Sequence, residues 1–169
     1  MYLLVGALLL IAIWVFYASI RPVRKKRLYQ GVNPPIVEFL KTELNRFPLH
    51  QAVFENNFSK VEKLLRQGYL LSEETDDGQT PLHIAAECGL DAMCRFLIKR
   101  GVAVDTLDNF GGTALHAAAA CQSGVKVIKI LIKAGSDFRL KDAAGMTPLA
   151  LAEKYKHFKI SGYLKFYGG

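Results

Sequence analysis

Three histidines and three cysteines stand at spacings that invite a chemical reading. His50, His83 and His116 follow one another at intervals of 33 residues, and Cys88 and Cys121 are also 33 apart, with Cys94 six residues beyond Cys88. A metal centre needs ligands that converge, which C-x-x-C pairs or closely spaced histidines provide and these intervals do not. The chain has no H-E-x-x-H, no G-x-S-x-G and no glycine-rich phosphate loop, and nothing sets a nucleophile beside a base. Catalysis, a cofactor and a bound metal are therefore not expected. What the equal spacing signals is repetition.

The histidines belong to a recurring phrase. It reads Phe47-Pro48-Leu49-His50-Gln51-Ala52, then Thr80-Pro81-Leu82-His83-Ile84-Ala85-Ala86, then Thr113-Ala114-Leu115-His116-Ala117-Ala118, then Thr147-Pro148-Leu149-Ala150-Leu151-Ala152. The leucines are 33, 33 and 34 residues apart, and a fixed period of this length marks a repeat array. In each copy Thr can satisfy orphan backbone N–H groups, Pro needs no N–H in a first helical turn, and Leu with the alanines makes a slim apolar face. Downstream, Gly68, Gly101 and Gly135 each follow an apolar run that reads as a second helix, which a left-handed glycine would end. Asp108-Asn109-Phe110-Gly111 and Lys141-Asp142-Ala143-Ala144-Gly145 supply turns before the next Thr.

From residue 47 to the end the sequence resembles the ankyrin-repeat family. The resemblance implies an all-α solenoid of about four helix-turn-helix repeats with short β-hairpin-like fingers, the repeats spanning about 47–79, 80–112, 113–146 and 147–169. It also implies that His50, His83 and His116 brace backbone between neighbouring repeats. Phe47 in place of Thr suits a terminal copy, and Ala150 in place of His suits a copy with no further repeat to brace. Between Ala118 and Leu131 the third repeat has one extra residue, placed near Gln122-Ser123-Gly124.

The amino-terminal part is of another kind. Residues 1–20 carry no charged side chain and include eleven Leu, Ile, Val or Phe residues. Twenty helical residues reach about 30 Å, the thickness of a bilayer's hydrocarbon core, so this stretch is expected to be a transmembrane signal-anchor helix. A cleaved signal peptide is the alternative, although Phe16-Tyr17-Ala18-Ser19 places rings where a cleavage site wants small residues. Arg21, Arg24, Lys25, Lys26 and Arg27 follow at once, and the positive-inside bias puts the carboxyl-terminal part on the cytoplasmic face. The same five cations could rest on lipid headgroups. Residues 21–46 then form a basic juxtamembrane segment and a capping helix, with Val37, Leu40 and Leu44 on one side.

The net charge of +7 is largely this cluster, since residues from 28 onward hold 17 Lys+Arg against 15 Asp+Glu. That argues against a nucleic-acid surface. Within the array the balance shifts, from 8 Lys+Arg against 11 Asp+Glu over residues 41–110 to 9 against 3 over residues 111–169. A dipolar protein partner steered by this field is one expectation.

Ankyrin arrays recognise proteins, so the resemblance implies a binding module or scaffold with neither a nucleic acid nor a small-molecule substrate. The surface formed by the fingers and by the ends of the first helices is the expected contact face. It offers Phe54, Glu55, Glu87, Lys154 and Tyr155 from the helices, and Asp76, Asp77, Asn109 and Phe110 from the fingers. The full expectation is thus an anchor (1–20), a linker and cap (21–46) and an ankyrin domain (47–169) that binds a protein partner at a membrane. A soluble or exported binding protein, or a docking inhibitor of a membrane enzyme, are the alternatives.

Overall fold

The structure, a computed structural model, describes residues 46–121 and 125–168. The expected anchor, basic run and capping helix before Arg46 lie outside the described residues, as does Gln122-Ser123-Gly124. Among the described residues there are eight helices and no strand: α1 Pro48–Phe54, α2 Phe58–Arg66, α3 Pro81–Glu87, α4 Asp91–Lys99, α5 Ala114–Ala120, α6 Val125–Lys133, α7 Pro148–Lys154 and α8 Phe158–Gly168. No helix among them is long and apolar enough to cross a membrane.

Each repeat supplies one helix to each of two layers. The first helices α1, α3, α5 and α7 pack in succession, and each also packs on its own second helix, with α4 on α6 and α6 on α8 behind them. Leu49, Leu82 and Leu115 of the repeated phrase are buried, and so are Leu64, Leu97, Leu131 and Leu164 of the second helices. Each fully buried leucine contributes roughly 1.5–3 kcal/mol. The alanines Ala52, Ala85, Ala86, Ala118, Ala119 and Ala152 have no exposure. Their small side chains let successive first helices lie close. Leu149, in the last copy, is only half-buried because no described helix follows α7 in its layer.

The ends of the helices follow from local chemistry. Pro48, Pro81 and Pro148 each open a first helix, and the hydroxyls of Thr113 and Thr147 accept from His116 N and Ala150 N at 3.4 and 3.2 Å. Asn57 caps α2 by accepting from Lys60 N at 3.0 Å. First helices α1, α3 and α7 end in a left-handed residue, Asn56 (φ 55°), Gly89 (φ 65°) and Lys156 (φ 58°) respectively. The third repeat departs from this pattern: Cys121, at the end of α5, is already extended with φ −101° and ψ 128°. The irregularity expected from the extra residue therefore begins there.

The expected hairpin-like fingers are turns with no strand. Each is closed across its base by one backbone bond, Thr75 N to Gln79 O at 2.9 Å, Asp108 N to Gly112 O at 2.8 Å and Asp142 N to Met146 O at 2.9 Å. Carboxylates take over what a strand ladder would do. Asp108 Oδ1 accepts from Phe110 N and Gly112 N at 2.9 and 2.7 Å, and Asp142 Oδ1 accepts from Ala144 N and Met146 N at 3.0 and 2.8 Å. These are Asp-initiated turns, in which a side-chain oxygen replaces a strand partner.

Candidate protein-binding surface

The histidines fix the first helices to the fingers. His83 Nε2 donates to Gly112 O at 3.3 Å, while its Nδ1 accepts from Thr80 N at 3.1 Å and meets the Thr80 hydroxyl at 2.8 Å. His116 repeats the arrangement with Met146 O at 3.1 Å, Thr113 N at 3.1 Å and the Thr113 hydroxyl at 2.9 Å. His50 reaches Gln79 O at 2.9 Å, but with Phe47 in place of Thr its buried Nδ1 has no partner among the described residues. Acceptance at Nδ1 and donation at Nε2 define a neutral ring, and burial holds all three below the usual histidine pKa. The structure thus gives these residues the bracing role that the resemblance implied.

A second set of bonds runs from finger to finger. Asn109 N donates to Asp77 O at 3.0 Å and its side-chain amide donates to Asp76 O at 2.9 Å. One repeat on, Ala143 N donates to Phe110 O at 2.8 Å. The side chain of Asn109, expected to face a partner, is thereby turned onto the first finger. Phe110 beside it is 57% exposed, and Leu107 on the same finger is 52% exposed. The second finger therefore projects two apolar side chains on a backbone tied at both sides.

The remaining expected contact residues occupy different depths. Phe54 is half-buried and packs against the core, and Glu55 pairs with Lys60 at 3.2 Å. Asp76 is exposed and pairs with Arg46 at 2.8 Å. Asp77 is half-buried, and its carboxyl is pushed above the ordinary aspartate value by desolvation, with Asp76 and Asp108 adding to the effect. Glu87, also half-buried, is pushed up by desolvation against an opposing hydrogen bond from Gln79, with Asp108 adding. Lys154 is exposed, its Nζ 5.8 Å from the Tyr155 ring. Tyr155 is half-buried, stacks on His157 at 6.0 Å, and is pushed up by burial, then by Asp142 and Cys121.

Glu87, Cys121 and Tyr155 of successive repeats lie near enough to act on one another electrostatically, Glu87 on Cys121 and Cys121 on Tyr155. Burial, with Glu87 adding, pushes the Cys121 thiol up to about 12, and burial does the same for Cys94. Neither is a thiolate nucleophile near neutral pH. Asp108, Asp142 and Gln79 belong to this surface although the sequence did not single them out as contacts. The D-x-x-G spacing of Asp108–Gly111 and Asp142–Gly145 was the available sign, since Asp at the first position of a turn bonds its own backbone. His157, also unmarked by the sequence, reaches Ala119 O at 3.0 Å from the α7–α8 turn and so braces the last repeat backwards.

Braced first helices, turn-built fingers and paired second helices together define a protein-interaction array. The family model for ankyrin repeats in three copies matches residues 28–108, 49–142 and 101–168, and the chain belongs to the ankyrin-repeat family. Rabankyrin-5 of Mus musculus is 35% identical over 125 residues, which is 67% of this chain and 11% of that protein. The B-cell lymphoma 3 protein homolog of Mus musculus is 36% identical over 112 residues, 62% of this chain and 25% of its own length. The probable 26S proteasome regulatory subunit p28 of Saccharomyces cerevisiae is 34% identical over 128 residues, 72% of this chain and 55% of that protein. The matched stretch spans little more than half of p28 and far less of the other two.

Proposed function

We propose that this chain is a protein-docking module held at the cytoplasmic face of a membrane by residues 1–20, with the second finger as the centre of its contact surface. The observation that carries the docking reading is Phe110, a large ring left 57% exposed on a finger whose backbone is bonded to both neighbouring fingers. A rigid, presented aromatic adds contact area with little loss of conformational freedom, which is how interface anchors work. Glu87 and Tyr155 then form the floor on which the partner sits, and Asp76 and Lys154 the charged margins. The tether is supported by the uncharged stretch 1–20 followed by Arg21–Arg27.

Two measurements test the two halves. A photoreactive residue at position 110 of the full chain in its native membrane should crosslink one protein partner, whereas the same residue in place of the exposed Lys63 on α2 should not. Equal yields from both positions would displace the docking surface. Resistance to alkaline carbonate together with an intact amino terminus is expected for the tether, and a mature chain beginning near Ser19 or Arg21 would remove it.

A further inference from the structure

Helix α8 carries a face that no other described helix covers, with a chemistry of its own. Phe158, Gly162 and Phe166 follow at intervals of four on α8, opposite the buried Ile160 and Leu164. Phe158 and Phe166 are 78% and 83% exposed. The reason lies in register. In α2 the equivalents of Phe158 and Gly162 hold the next repeat: Phe58 meets Phe96 edge-on at 5.2 Å, and Glu62 accepts from Arg100 at 2.8 Å. No described helix stands at that place beside α8.

Charge distinguishes this end from the rest. Around α2 and α4 most basic side chains are met by acids, Lys60 by Glu55, Arg66 and Arg100 by Glu62, and Arg95 by Asp91, while the exposed Lys63 and Lys99 have no acidic partner among the described residues. Around α8 the lysines Lys129, Lys133, Lys159 and Lys165 are exposed, and among the described residues only Lys165 has an acidic partner, Glu153 at 2.7 Å. Lys129 leans its Nζ to 5.1 Å from the Tyr163 ring, on the boundary between α6 and α8.

We propose that this end of the array is a peripheral contact with an anionic lipid surface, in which Phe158 and Phe166 enter the headgroup region and Lys129, Lys133 and Lys159 pair with lipid phosphates and carboxylates. Aromatic rings flanked by flexible cations suit a fluid array of headgroups, which needs neither a shaped cavity nor fixed bond directions. A second copy of the same face would set lysine against lysine. The contact would orient the array on the membrane proposed above, and it does not need residues 1–20 to be inserted.

Trp14 is the chain's single tryptophan, so the full chain carrying Trp14→Phe and Phe166→Trp reports on position 166 alone. It is reconstituted with vesicles of phosphatidylcholine, or of phosphatidylcholine with about 30% phosphatidylserine, each with brominated acyl chains. The expected result is a blue-shifted emission quenched roughly twofold or more in the anionic vesicles, and reversal by about 0.5 M salt or by Lys129→Gln, Lys133→Gln and Lys159→Gln together. Emission equal in both vesicle types, or quenching that the triple variant leaves unchanged, would overturn the proposal and leave the lysines to an acidic protein. Carbonate extraction of the same samples reads the anchor separately: an extractable chain that is still quenched counts against the anchor and for this contact.

Discussion

Gly78 and Asn109 stand so close across the first two fingers that a β-carbon on Gly78 would lie 2.6 Å from Asn109 Oδ1 and 2.8 Å from its backbone nitrogen. Gly78 also has φ +75°, so both space and conformation demand glycine. Gly111 repeats the relationship with Ala143 N at 3.0 Å, whereas Gly145, on the third finger, has nothing within 4 Å among the described residues. Finger stacking thus depends on a glycine at each junction that has a following finger.

Gly78→Ala should therefore destabilise the array by about 2 kcal/mol or more, combining a left-handed alanine with displacement of Asn109. Gly68→Ala is the control, since Gly68 has φ +98° with open space around it and should cost only about 1 kcal/mol. Urea denaturation of the two variants compares them. Equal losses would mean that contact between fingers contributes nothing.

Stability should fall as pH drops below about 6.5, the unfolded histidine value. His50, His83 and His116 have folded pKa values lowered by burial, so the unfolded chain binds more protons in this window and acid favours it. Protonating Nδ1 of His83 or His116 would also set N–H against the N–H of Thr80 or Thr113. Glu87 and Asp77 act in the opposite sense, because their raised folded values make the charged forms unfavourable and acid relieves that. The three histidines are the groups whose unfolded value lies between pH 7 and 5.5, whereas unfolded aspartate and glutamate titrate below it, so melting temperature should fall over that range. Glu87→Gln should raise stability at pH 7 and steepen the fall, and His116→Ala should cost about 2 kcal/mol at pH 7 and flatten it.

The orphaned Nδ1 of His50 offers a gain. Phe47→Thr would restore the acceptance from the Thr backbone and hydroxyl seen at His83 and His116, at the loss of an edge contact between the Phe47 and His50 rings at 5.7 Å. A satisfied buried nitrogen is worth about 1 kcal/mol net, and the half-buried ring it displaces contributes somewhat less. The variant should melt slightly higher by calorimetry. A clear loss would show that packing of the Phe47 ring outweighs the satisfied nitrogen.

Much of this architecture was legible in the order of residues. The period of the Leu-His phrase fixed the number and length of the repeats, because burying one stripe per helix imposes the same spacing on every copy. The glycines at 68, 101 and 135 marked the second helices' ends, since only conformation decides there. The contact surface was less legible. Asn109 looks like a surface polar residue, and only the stacking of fingers 33 residues apart turns its amide onto Asp76 O. Phe54 and Tyr155 share Phe110's chemistry but sit half-buried, a difference set by packing against other repeats that no local pattern encodes.

Lys156 holds φ 58° at the end of α7, where Gly89 serves in the second repeat and Asn56 in the first. Lysine pays the left-handed penalty in full, while asparagine tolerates this region. Lys156→Gly should stabilise the domain by about 0.5–1 kcal/mol, and Asn56→Gly should change it little. Thermal melts of the two variants make the comparison, and a destabilised Lys156→Gly would mean that the lysine's side chain supports the α7–α8 turn.

The acidic first finger should set how fast a partner arrives, and Phe110 how long it stays. Glu74 and Asp76 are exposed, whereas Asp77 is half-buried with its carbonyl holding Asn109, so Glu74→Lys with Asp76→Lys reverses the surface charge without touching the finger ladder. The Arg46–Asp76 pair is lost in that variant, but both side chains are about two-thirds exposed, and such pairs contribute roughly 0.5 kcal/mol or less. Its melting temperature should therefore hold while the association rate with the crosslinked partner changes several-fold at low salt and converges with the parent above about 0.3 M salt. Phe110→Ala should do the reverse, leaving association nearly unchanged and speeding dissociation by about tenfold or more, as loss of an interface anchor does. Surface plasmon resonance at two salt concentrations separates the rates. An association rate unmoved by the charge reversal at low salt would end the steering idea, and an unchanged dissociation rate in Phe110→Ala would move the contact surface off the second finger.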